Sequence, residues 1–391
     1  MNNKLNFEGV INPNEFGGLL YNNLEVDAVK RILLNDKIFR YATGEKSECD
    51  IFEERINKML GCKYSLGVNS GTSGLKVALT AIGIKKNDRV LVSSYTFISS
   101  ATSVLNLGAV PIPMDFSFDT GIDLQDLENE LKKGAKAIIV VHLQGRTFDL
   151  SEVIRLAKKY KAYVIEDSCQ SFGSKFNGKY AGTFGDVGVF SFQQNKQITS
   201  GEGGMIVTNN KKIYEIARNY HDMGSVRDEY PSWEKKGALV GDNYRMTNIQ
   251  AAILNVQLDK FSNMLSNQIK IYNYLTDNLD SKYVVLPNDI DGFTGQNILF
   301  YIKDLDLINK IFNKAQMMNI EVRRIWNMPY DQRKVFKDLK LNDLNLKDLE
   351  NYESNNISKY LISISIPPII NNKEKIIMKK FINYISKELK L

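Results

Sequence analysis

Between residues 69 and 208, short apolar runs alternate with helix-like segments, and this alternation constrains the fold more than any other feature of the chain. The runs 90–92, 110–114, 137–141 and 162–165 are apolar at nearly every position, as strands covered on both faces are. Strands of that kind separated by helices build an α/β fold around a largely parallel sheet. In such sheets ligands gather beyond the carboxyl ends of the strands. The residues found there are Asp115, His142, Asp167 and Lys196.

Lys196 is the one lysine in the stretch 186–208, DVGVFSFQQNKQITSGEGGMIVT. Val187, Val189 and residues 190–192 precede it and residues 205–207 follow it, so it is expected on a turn between two buried strands. Gly201, Gly203 and Gly204 supply backbone freedom for that turn and let a ligand approach the main chain. A lysine held between buried strands can be desolvated enough to act as an amine nucleophile. Three further features bear on that reading. The segment NSGTSG, residues 69–74, opens a helix with Leu75, Ala78, Leu79 and Ile82 on its apolar face, and its free amides form either an anion site or an ordinary helix cap. Asp167, in YVIEDSCQSFG, closes a buried strand and needs a partner there. A protonated pyridine nitrogen, a lysine or arginine, or a metal ion would serve. Tyr95 and Phe97, in SSYTFISS, follow another strand and belong either to the core or against a flat ring.

At 391 residues the chain exceeds a single core, so two domains are expected. Residues 1–260 would form a large domain with its N-terminal segment, and residues 261–391 a small C-terminal one. A long helix over 246–279, with Ile249, Ala252, Ile253 and Val256 on one face, would bridge them, and β-like runs at 283–286 and 298–302 would belong to the second. Near the N-terminus, residues 24–34 and 52–60 read as helices. An amphipathic closing helix is expected from Ile376, Ile377, Phe381, Ile382 and Ile385 among lysines. The net charge of +6 is spread along the chain without interleaved aromatics, which argues against nucleic-acid binding. Cys49, Cys62 and Cys169 lack metal-type spacing, and reduced thiols suit the cytoplasm. The first residues lack a basic and then apolar leader, and no stretch approaches the roughly eighteen apolar residues that span a bilayer, so neither membrane contact nor export is expected.

The segments NSGTSGLKVALTAIGI, VLVSSYTFISSA, VHLQGRTFDL, the run from VIEDSCQSFG to GEGGMIVTNN, and DNYRMTNIQAAIL closely resemble the DegT/StrS family of sugar aminotransferases, from about residue 43 to 258 and more loosely to the end. The resemblance implies the pyridoxal phosphate transferase fold type I: a mostly parallel seven-stranded sheet between helices, with a smaller α+β C-terminal domain. It implies that Lys196 is the Schiff-base lysine and proton shuttle and that Asp167 partners the pyridine nitrogen. Gly71, Thr72 and Ser191 would hold the phosphate, Phe97 would stack on the ring and Gln170 would lie near the ring hydroxyl. Asn243 would reach the phosphate in the neighbouring subunit, making a homodimer with shared sites. His142 matches a position near the cofactor, although a satisfied strand-end histidine is the simpler reading, and Arg245 and Glu202 read as supporting residues.

The implied reaction moves an amino group from an amino acid, glutamate or glutamine, to a keto sugar for surface polysaccharide or other amino-sugar synthesis. The leading acceptor is a nucleotide-linked keto-deoxysugar. The region RRIWNMPYDQ departs from the family's usual proline-leucine-histidine run and places Trp326 where substrate is touched. Together with IFRYATGE and HDMG, it is similar to a branch acting on eight-carbon ulosonic acid sugars or aminocyclitol precursors. A sugar dehydratase of the same fold would have histidine in place of Lys196. A cofactor-binding regulator would carry a DNA-binding segment, and no helix-turn-helix pattern stands outside the catalytic one.

Overall fold

The computed structural model describes residues 11, 16–35, 37–41, 46–226, 233–280, 282, 284–285, 287, 289–337 and 352–390. Two helices come first, α1 (Asn23–Leu34) and α2 (Glu48–Leu60), each opened by a capping box, Asn22 with Glu25 and Ser47 with Asp50. The alternation then appears as β1 (Tyr64–Val68), α3 (Gly71–Ala81), β2 (Arg89–Ser93), α4 (Ser99–Leu105), β3 (Val110–Met114), α5 (Leu124–Lys132), β4 (Ala137–Val141), α6 (Ser151–Tyr160) and β5 (Tyr163–Asp167). A short ribbon of β6 (Lys175–Phe176) and β7 (Lys179–Tyr180) leads to β8 (Val187–Ser191), β9 (Gly204–Thr208) and α7 (Lys211–His221).

Seven of these strands form one sheet in the order β1-β9-β8-β5-β4-β2-β3. Strands β3, β2, β4, β5 and β8 are paired in parallel, and β9 runs antiparallel to both its neighbours. Asp167 pairs with Val141 on one side and Val189 on the other, so three parallel strands end nearly level. Every residue of β4 and β8 is buried, which is why their sequences carry no alternation.

After α8 (Asn248–Thr276), the chain adds β10 (Asn297–Tyr301), α9 (Leu305–Met317), β11 (Val322–Arg323), α10 (Lys334–Lys337), α11 (Glu353–Tyr360), β12 (Leu361–Ser365) and α12 (Asn372–Glu388). The helix expected over 246–279 is shorter because Thr247 and Gln250 form its capping box. Ala251, Leu254 and Phe261 on its first half join Phe52, Ile56, Phe190 and Phe192 in one apolar cluster. Ile271, Tyr272 and Leu275 on its last turns belong to a second core under the antiparallel sheet β10-β12-β11. A division at 260/261 therefore falls inside an unbroken helix. Of the β-like run at 283–286, Tyr283 and Leu286 lie outside the described residues and Val284 bridges Phe300. In α12 the buried stripe is Met378, Phe381, Ile382 and Ile385, while Ile376, expected on it, is exposed because it sits two residues off that stripe.

Between the two sheets, Tyr330, Phe336 and Ile357 return to the large core. Asp115, just past β3, anchors this return. Its carboxylate accepts the Glu353 and Ser354 amides at 2.9 and 3.0 Å and the Ser354 hydroxyl at 2.8 Å, capping α11, which has no cap of its own.

Candidate active site

Lys196 lies in the 192–203 connection between β8 and β9. This loop is folded on itself by Phe192 N–H to Gly203 O at 2.8 Å, Gln194 N–H to Gly201 O at 3.0 Å and the Thr199 hydroxyl to Phe192 O at 2.9 Å. Gly201 and Gly203 have φ of +82° and +158°, which only glycine adopts without strain. Gly204 serves differently from the expected turn flexibility. It is the first residue of β9, and a Cβ there would lie 2.4 Å from the Ser70 carbonyl, so its role is to admit the start of α3. The Gly17 amide binds Lys196 O at 2.9 Å and closes the loop from the N-terminal side.

At the start of α3, the Ser70 hydroxyl accepts the Ser73 amide at 3.1 Å. Helix geometry leaves the Gly71 and Thr72 amides without intrahelical acceptors, at the positive end of the helix dipole. A Cβ on Gly71 would come within 2.8 Å of Cys169 Sγ and 2.9 Å of Ser191 Cβ. Glycine is thus required where the helix start, the end of β8 and the turn after β5 converge. Small groups, free amides and the Ser191 hydroxyl make this a cradle for an anion.

Asp167 and Glu166 are adjacent, both buried, and differently satisfied. Glu166 accepts the Gly182, Phe184 and Gly185 amides at 2.6–2.7 Å and meets His142 Nε2 at 2.9 Å. His142 Nδ1 accepts the Phe148 amide at 3.1 Å, so the ring donates from Nε2 and is a saturated strand-end histidine that does not line the cleft. Asp167 accepts only the Ser100 hydroxyl at 2.7 Å and the Cys169 amide at 3.2 Å. It faces the cleft, and among the described residues it forms no ion pair. Burial, and then the Asp167 carboxylate, push the Cys169 thiol well above its ordinary value, so that sulfur stays protonated.

These groups line a cleft of about 520 Å³ that also receives Phe97, Gln170, Glu202 and Thr72. Phe97 is half exposed at its rim, whereas Tyr95 is core, edge-on to Trp326 with centroids 4.8 Å apart. Of the residues expected at the site, Lys196, Asp167, Gly71, Thr72, Phe97, Gln170 and Ser191 are brought together. Asn243 is not among them: it is exposed, bridges Asp222 through its backbone and stands outside this chain's cleft. Arg245 beside it pairs with the buried Asp222 at 2.5 Å. His221, in the same cluster, is held neutral, its pKa lowered to about 3 by burial and then by Arg40.

The opposite wall contains Gln296 and Asn297 at the start of β10, Arg323 in β11, Ile325, Trp326 and Ser365 at the end of β12. Apart from Trp326, sequence reasoning missed them, along with Phe16, Gln144 and Cys169. The signal carried by the second-wall residues is position at strand ends of the second sheet, whereas Gln144 and Cys169 follow β4 and β5 of the first. The residues present fit pyridoxal phosphate: an anion cradle that a Cβ at position 71 would fill, a buried carboxylate paired with no cation among the described residues, and one lysine in the loop between. Among the described residues, no cluster of potential metal ligands is found and no helix is long and apolar enough to cross a membrane.

Residues 22–380 match the model of the DegT/DnrJ/EryC1/StrS aminotransferase family. The chain is 38% identical over 244 residues to GDP-perosamine synthase of Escherichia coli O157:H7, covering 62% of this chain and 66% of that one. It is also 38% identical over 224 residues to GDP-perosamine synthase of Caulobacter vibrioides, covering 57% and 59%. The chain thus spans somewhat less than two thirds of the length of these relatives. The X-ray structure of the aminotransferase from Psychrobacter cryohalolentis superimposes with a TM-score of 0.84 at 25% identity, over 95% of this chain and 98% of that one. The fold is accordingly that of the pyridoxal phosphate transferases of fold type I. By the extent of the family match, the chain belongs to the DegT/DnrJ/EryC1/StrS aminotransferase family.

Proposed function

We propose that the protein is a pyridoxal-phosphate-dependent aminotransferase that carries an amino group from glutamate or glutamine to a keto sugar, with a nucleotide-linked keto-deoxysugar as acceptor. The observation that carries this reading is Asp167, a buried carboxylate that forms no ion pair among the described residues, in the same cleft as Lys196. When bound, the cofactor supplies an electron sink next to the reacting carbon. Asp167 holds a proton at the ring nitrogen, with Ser100 fixing the carboxylate. The α3 amides and Ser191 bind the phosphate, Phe97 covers the ring and Gln170 faces its hydroxyl. Lys196 would anchor the cofactor through its amine and, once the amino donor had taken its place, would carry the proton between donor carbon and cofactor; with the keto sugar it would run the same transfer in reverse. Lysine at 196 disfavours the dehydratase alternative. The acceptor class is supported by the relatives' name, GDP-perosamine being a nucleotide-linked amino sugar.

The same reading includes a homodimer with shared sites. Leu24, Val26, Leu34, Ile38 and Phe39 leave an exposed apolar surface on and after α1, of the kind a second copy covers. Exposed Asn243 then reaches the partner's phosphate. Residues 1–260 act as the cofactor-binding domain and 261–391 as the substrate-side domain. A cytoplasmic location suits the free cysteines. The test is amino transfer from glutamate and glutamine to a panel of nucleotide-linked keto-deoxysugars, ulosonic acid sugars and aminocyclitol precursors. Turnover of the first group is expected; turnover confined to another group would overturn the acceptor assignment.

A further inference from the structure

Gln144 stands two residues after saturated His142 in a turn with an unusual backbone. Its φ is +54° and that of Gly145 is +78°, and Arg146 N–H closes the turn on Leu143 O at 2.9 Å. A non-glycine residue in the left-handed region is uncommon and persists where its surroundings demand it. Here they do. The buried Arg146 guanidinium donates to Gln144 O at 3.1 Å, and a Cβ on Gly145 would lie 2.0 Å from Thr294 Oγ1. The turn so held aims one side chain. Gln144 Nε2 donates to Gln170 Oε1 at 2.9 Å.

Gln170 is held at its backbone too, its carbonyl accepting the Gly145 amide at 2.9 Å and Gln296 Nε2 at 2.8 Å. With the carbonyl end of its carboxamide taken by Gln144, the amino end is the free one. Among the described residues no protein acceptor meets Gln170 Nε2, and Gln170 lines the cleft. The two carboxamides must offer opposite ends to each other, and in the arrangement seen here Gln144 donates and Gln170 accepts, which turns the Gln170 amino end away from the pair.

Resting on the cofactor reading above, we propose that Gln144 is a positioning residue that fixes the Gln170 carboxamide so that its amino group, rather than its carbonyl, faces the oxygen substituent of the cofactor ring. A donor there stabilises the anionic oxygen most when the lysine-linked nitrogen has lost its proton and no longer offsets that charge. Losing the donor therefore moves the pH midpoint of the Lys196-linked chromophore upward. The charged groups lining the cleft, Asp167, Glu202, Arg323 and Lys196, are unchanged in the variants, so the shift reports the carboxamide.

The test is a spectroscopic pH titration of holoenzyme, independent of turnover. Gln170→Ala should raise the midpoint by about one pH unit, the size of one hydrogen bond to a charged group. Gln144→Asn, which tolerates the left-handed backbone but shortens the arm, should raise it by about half a unit, and Gln144→Gly likewise. In the Gln170→Ala background, neither Gln144 change should add anything, since residues acting through one another are non-additive. A Gln170→Ala shift with unmoved Gln144 variants would overturn this proposal alone. So would an unmoved Gln170→Ala midpoint, or a Gln144 shift that survives in full without Gln170. A wild type that gives no lysine-linked band with excess pyridoxal phosphate would overturn the underlying functional reading as well.

Discussion

One wall of the cleft takes Asp167 and Ser191 from level ends of parallel strands, with Gly71 and Lys196 on the segments beside them. The facing wall draws Gln296, Arg323, Trp326 and Ser365 from separated stretches around an antiparallel sheet. On the first wall, position follows from topology: a residue that closes a buried parallel strand arrives at the ligand edge. On the second, it depends on how α8 carries the small core and on contacts between residues more than two hundred positions apart, such as Asp115 with Ser354. The first wall should therefore govern the cofactor, and the second the choice of substrate.

The largest effect expected on the first wall is Asp167→Asn. It keeps the Ser100 contact but removes the charge, and the donor half-reaction should slow by about 10²–10³, as when one preorganised electrostatic group is lost. Stopped-flow spectra would measure it, and a near-normal rate would show that the buried carboxylate has another purpose. On the facing wall, Arg323→Ala should lower kcat/KM for an anionic acceptor by roughly 10- to 100-fold, the scale of a lost charged hydrogen bond, and leave cofactor affinity unchanged. Equal loss of cofactor affinity would erase the distinction between the walls. Asp115→Ala should destabilise the protein by about 2 kcal/mol through the uncapped α11 amides, read by denaturant unfolding.

Behind the first wall, His221 acts only in acid. Its folded pKa of about 3 lies below the ordinary value of 6.5. The unfolded chain therefore binds the extra proton first, and stability is full above about pH 6.5 and falls toward pH 3 by at most about 1.4 kcal/mol per pH unit. His221→Gln should flatten that part of the acid slope in pH-dependent unfolding, and an unchanged slope would show that the histidine is charged in the folded state.

The contrast between the walls also explains what could be read from sequence. The strand-end rule pointed to Asp115, His142, Asp167 and Lys196 alike, yet Asp115 caps a helix and His142 is saturated by Glu166 and Phe148. Strand periodicity gives the edge a residue reaches, and only tertiary contacts give its orientation. Gly204 belongs to a glycine-rich run that reads as a flexible turn, but its missing Cβ makes room for Ser70, 134 positions earlier. Gln144 carries no composition signal for its left-handed backbone. The second-sheet residues form no local motif, and only Trp326 could be singled out.

The most direct measurement is where the cofactor attaches. Holoprotein reduced with borohydride, digested and mapped by mass should carry the pyridoxyl phosphate on the peptide containing Lys196 and on no other lysine, and Lys196→Ala should carry none. A stable adduct elsewhere, or no adduct with pyridoxal phosphate in excess, would contradict the assignment of this cleft as the site of amino transfer.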